Sequence, residues 1–144
     1  MAHLLIDLAA GRYGPPPASI GFVSGDVHYS YLARAALPAA AASSATSVYQ
    51  AVCSPIRNPL SGPIRVLNAA ASFAGAGLVG RGLAMTARVP RSPLDWTVLS
   101  GPYFSNVLGV LEIDGERVDL RWVAPSASTE DPPPLQEIGT QRLR

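Results

Sequence analysis

Lysine is absent from this sequence: all eleven basic residues are arginine, set against ten carboxylates for a net charge of +1. That balance gives no broad electrostatic case for a nucleic acid or an anionic membrane surface as partner. Cysteine is nearly absent too. Cys53 stands alone, so no internal disulfide and no CxxC metal spacing exists, and a reducing compartment is the expectation. No stretch reaches the roughly 20 uninterrupted apolar residues that a membrane helix needs. The opening MAHLLIDLAAGRYG lacks a basic leader and is interrupted by Asp7, which argues against a signal peptide. The expectation is a soluble, cytoplasmic chain.

What is present is a core. The 144 residues are the size of one domain, 48% are hydrophobic, and only 15% are charged. The 13 glycines and 14 prolines cluster at breaks between apolar runs, which predicts many short connections. Leu4, Leu5, Leu8 and Ala9 keep helical spacing before Gly11 and the Gly14 to Pro17 run, so a short helix opens the chain. Ser19 to Ser24 reads as a buried strand that turns polar at Gly25-Asp26-Val27-His28. Tyr29 to Ala36 continues as a strand, Ala39 to Ser47 as a low-complexity loop, and Ser47 to Cys53 as a further strand closed by Ser54-Pro55.

Ile64, Leu67, Ala71, Ala74, Leu78 and Met85 recur at three- and four-residue steps and predict a helix, fenced off by Pro90 and Pro93. Alternation on both sides of Asp114-Gly115 predicts a hairpin: Val107, Gly109, Leu111 and Ile113 lead in, and Val118, Leu120 and Trp122 return. The turn expected there is type I′. Residues 1–124 form the domain on this reading, and 125–144 a polar, proline-rich tail that docks weakly or not at all. Strands and helices mix without regular βαβ alternation, so the class is α/β to α+β.

Three motifs carry possible chemistry. Gly75 to Gly80 matches GxGxxG, yet that fingerprint requires a preceding strand, and residues 68–74 are helical in character. Close helix packing is the better reading. Ser24, Asp26 and His28 supply the residue types of a hydrolase triad, but their spacing puts all three on one face of an extended strand. A carboxylate and an imidazole two residues apart at a strand end can face one cation, so Asp26 and His28 are candidate metal ligands, with an exposed polar pair at a strand end as the alternative.

Val23-Ser24-Gly25-Asp26-Val27-His28-Tyr29-Ser30-Tyr31 resembles the SGDVHHSY segment of alkaline phosphatase D-like enzymes, which are calcineurin-like metallophosphoesterases. Gln50 to Pro59 is similar to that family's QLVCSPLRNP stretch. Trp96, the Gly101 to Asn106 segment and the Leu111 to Val123 hairpin resemble its closing portion, in the same order. The resemblance implies a layered αββα sandwich, of which this chain would hold the carboxy-terminal part. It also implies metal-dependent phosphoester hydrolysis, with Ca2+ and Fe3+ as cations. By the same resemblance Asp26 and His28 are catalytic and metal-binding. Arg57 and Asn58 are candidate substrate contacts, because a guanidinium pairs bidentately with phosphate; a loop role between Pro55 and Pro59 is the alternative.

The family's DxH, GDxxD and GNHE segments do not occur here. His3 lies outside any such neighbourhood and reads as fortuitous. Two ligands fall short of the roughly four to eight donors such cations take. The expectation is therefore a phosphoesterase fragment, inactive without the missing ligands. The competing reading is a non-catalytic interaction module that keeps part of the fold. In either case an exposed strand edge would accept a partner chain or a second copy.

Overall fold

A computed structural model of the chain describes residues 1–25, 29–38, 45–53, 62–63, 66, 74–90 and 92–143, with 74–79 described by backbone alone. Helix α1 is Ala2–Ala9. Strands β1 (Ser19–Ser24), β2 (Ser30–Ala36) and β3 (Ser47–Val52) follow, then helix α2 (Ala74–Thr86) and strand β4 (Asp95–Tyr103). The chain closes with β5 (Leu108–Asp114), β6 (Arg117–Pro125) and β7 (Leu135–Arg142). The class is α+β, with two sheets and two helices among the described residues.

The first sheet has the order β1-β3-β2-β4. β1 and β3 run parallel in unbroken register from Ser19 opposite Ser47 to Ser24 opposite Val52. β2 is antiparallel to both its neighbours, β3 and β4. The second sheet is an antiparallel meander, β5-β6-β7.

The period of two along each strand decides what each face meets. Leu32, Tyr49 and Ala51 point to one side of the first sheet and pack with Leu120 and Trp122 of the second and with Val107 just before β5. Trp122 is 1% exposed, and its indole N–H donates to the Ser100 hydroxyl at 3.4 Å. Burying a ring of this size removes about 200 Å2 from water, roughly 5 kcal/mol at 25 cal/mol per Å2. The exposed ion pairs of the second sheet are worth about 0–1 kcal/mol each. The buried indole thus ties the two sheets together. The opposite face of the first sheet carries Ala35 and Val48, and α1 covers them with Leu5.

Cys53, just past β3, also links the sheets. Its thiol donates to the Val107 carbonyl at 3.3 Å and accepts from the Gly109 amide at 3.2 Å.

The structure corrects several expectations. Ser19–Ser24 is a strand, but an edge one rather than an interior one, with Val23 74% exposed. Only Ile20 and Phe22 of β1 pack against the α1 cluster, too little apolar surface to fill both faces. The stretch expected as a weakly docked tail contains β7, paired with β6 from Pro125 opposite Leu135 to Asp119 opposite Arg142. Its backbone hydrogen bonds and the buried Leu143 anchor it despite a polar sequence. β4 has no counterpart in the sequence reading.

The hairpin forms as expected, with Leu120 and Trp122 buried, but its turn differs. Asp114 pairs with Arg117, leaving Gly115 and Glu116 as the central residues. Only Gly115 has positive φ, at +58°, which matches type II′ rather than type I′. The GxGxxG glycines lie inside α2 itself, so no strand-to-helix turn exists there to cradle a pyrophosphate.

Candidate functional site

The parallel pair β1 and β3 ends in step. Ser24 stands opposite Val52, and the Cys53 amide donates to the Ser24 carbonyl at 2.9 Å. Gly25 follows at once, so close to the neighbouring chain that a Cβ there would stand 3.2 Å from the Cys53 carbonyl oxygen. In mixed and parallel sheets, the carboxyl ends of adjacent parallel strands are where ligand-binding groups gather.

Both candidate segments start from this shared end. Asp26 is bonded to Gly25, and His28 lies two residues further; the segment containing Arg57 and Asn58 begins at Ser54. All four residues lie outside the described part of the structure. The contribution of the fold is the common point of departure. Among the described residues no group of three or more His, Cys, Asp or Glu side chains could hold a metal ion. His3 is exposed on α1. As a donor set, Asp26 and His28 suit a hard or borderline cation but supply only part of a coordination shell.

Past His28 the chain returns to the sheet through aromatic residues. The rings of Tyr29 and Tyr31 stack with centroids 5.5 Å apart, and Phe104 tilts against Tyr29 at 5.8 Å. Burial, and then the adjacent Tyr29, push the Tyr31 phenol above its ordinary range. Both tyrosines border a groove of about 300 Å3. Its other walls come from Gln50 of β3 and Trp96, Val98 and Pro102 around β4. Sequence reading cannot assemble this set, because it depends on cross-strand register: Ala33 lies opposite both Gln50 and Val98.

The outer face of the second sheet holds the other polar cluster. Asp119 accepts hydrogen bonds from Arg117 and, at 3.3 Å, from Arg142. Chiefly the Arg117 bond, aided by Arg142, holds the Asp119 carboxyl below the usual carboxylate range. Arg121 pairs with Glu112 and lies 3.9 Å from Glu137. Arginines and carboxylates are matched in number here, so the cluster reads as a cross-strand ladder that stabilises the sheet.

No protein-family model, no curated protein and no solved structure matches this chain. Among the described residues no helix is long and apolar enough to cross a membrane.

Proposed function

We propose that the chain is the carboxy-terminal part of a metal-dependent phosphoesterase of the alkaline phosphatase D-like kind. One observation carries the reading. The SGDVH segment and the CSPIRNP segment leave the neighbouring carboxyl ends of a parallel strand pair, the position at which such sheets bring ligand-binding groups together. The two packed sheets with α1 on the outer face are compatible with an αββα sandwich. On this reading Asp26 and His28 supply two metal ligands, and Arg57 with Asn58 contacts the phosphate. Further ligands, from polypeptide not in this sequence, complete the site. When bound, the cation, Ca2+ or Fe3+ by the resemblance, would neutralise negative charge developing on the phosphoryl oxygens.

The test is metal binding followed by equilibrium dialysis with Ca2+, Mn2+ and Fe3+, alongside an assay with a phosphodiester. The expected result is weak binding that His28→Ala and Asp26→Asn abolish, with no turnover by this chain alone. Binding unchanged by both substitutions, or none with any cation, would remove the phosphoesterase reading. Turnover that disappears in His28→Ala would show instead that the site is complete.

A second reading, a non-catalytic interaction module, is favoured by exposed apolar side chains on two edge strands. Val23 lies on β1, and Leu111 and Ile113 on β5. A stable complex with a partner chain and no His28-dependent metal binding would select it.

A further inference from the structure

On the α1 side, the first sheet is covered unevenly. α1 lies over Ala35 and Val48, close to where β1 and β3 begin. Beside it, over β2 and β4, the same face opens as the groove of about 300 Å3, which runs from Trp96, level with Ala35, to Tyr29 and Pro102. Trp96 and Val98 stand 44% and 48% exposed there. Ala33 provides the floor: its small side chain is 4% exposed and lies between the larger Tyr31 and Trp96 at the walls. The space is at the lower end of the range for small-molecule sites.

The chemistry of the lining narrows the occupant. None of the lining residues is charged, so an anion gains nothing inside. Three aromatic rings, Tyr29, Tyr31 and Trp96, face the space, and stacking of a flat π-system is what such walls favour. Gln50 adds one amide able to donate and accept, a means of orienting a ring substituent. One end of the groove reaches the strand ends, where Tyr31 stands opposite Val52, the last residue of β3. Gln50 is two residues, about 7 Å, short of the end of β3, and Tyr29 directly follows His28.

We infer that this groove binds the uncharged planar aromatic group of a ring-bearing phosphoester, while the phosphate lies outside it at the strand ends. The assignment of the phosphate rests on the phosphoesterase reading; that of the ring rests on the groove alone.

Isothermal titration of the full chain with 1-naphthol, 1-naphthyl phosphate and glycerol 3-phosphate, with and without Mn2+, separates the two parts. The expected result is that both naphthyl compounds bind and compete, and that glycerol 3-phosphate does not displace naphthol. Trp96→Ala and Tyr29→Leu should each weaken naphthol binding about tenfold. Trp96 is half-exposed, and the fluorescence of the buried Trp122 reports whether each variant remains folded. No naphthol binding, or binding indifferent to both substitutions, overturns the groove assignment whatever the metal does. Naphthol binding with no gain from the phosphate in Mn2+ overturns the phosphoester part, and the phosphoesterase reading with it.

Discussion

Gly109 lies directly against the indole of Trp122: a Cβ at position 109 would stand 2.9 Å from Cζ3 of the ring. The two are register partners across β5 and β6, on the face that packs toward the first sheet. Glycine here leaves room for the residue that ties the sheets together. Gly109→Ala should therefore push the ring off its site and destabilise the fold by about 1–3 kcal/mol, the usual cost of overpacking. Chemical denaturation with Trp fluorescence measures it. An unchanged midpoint would mean that the ring moves without loss.

Gly115→Val tests the hairpin turn. At φ +58° a β-branched side chain meets the carbonyl oxygen, at about 1–2 kcal/mol. Nothing else lies within 4 Å of a Cβ there, so the loss would be conformational and free of steric contact with neighbours. Thermal melts should show a lower midpoint for valine and a smaller loss for asparagine, which tolerates positive φ better.

Acid should weaken the fold partly through Asp119. Its carboxyl titrates lower in the folded chain than in the unfolded one, because Arg117 and Arg142 donate to the ionised form. The contribution is thus fully present above the unfolded value of about 3.9 and is lost as pH falls through the folded value. Asp119→Asn should lower the melting temperature near neutrality, and the gap to wild type should close as pH falls below about 4. A constant gap down to strong acid would mean that the charge contributes nothing.

Alkali should act through Tyr31. Its phenol is raised by burial first and by Tyr29 second, so the unfolded chain releases this proton at lower pH than the folded one. The contribution to stability is intact below about 10 and declines as pH rises through the folded value. Ultraviolet titration of Tyr29→Phe should show the Tyr31 phenol moving only part of the way back, since burial remains. A complete return would make the neighbouring ring the main cause.

The strands β1, β2 and β3, the helix α1 and the β5–β6 hairpin were legible because their apolar spacing is local. β7 was not: Gln136, Glu137, Thr140 and Gln141 read as a solvated tail, and only pairing with β6 makes them a strand. β4 escaped notice because Gly101-Pro102 interrupts its run, a pattern tolerated on a sheet edge. That β1 is an edge strand depends on which elements flank it, and no local pattern encodes that. The candidate ligands were named from a motif, whereas the aromatic groove required knowing that Tyr31, Gln50 and Trp96 come from three adjacent strands. Sequence distance hid their convergence.

Cys53 offers a way to watch the two sheets part. Its sulfur is held by the Val107 carbonyl on one side and the Gly109 amide on the other, both at the start of β5. Alkylation removes the S–H that donates to Val107, and the added group competes for the space beside the Gly109 amide, so modification disfavours the native sheet contact. The rate of thiol alkylation should then follow how often β5 lifts from β3, rising with Gly109→Ala and remaining near the wild-type rate with a substitution at exposed Val23. With only one cysteine in the chain, a single mass shift counts these openings directly, residue-specifically and under native conditions.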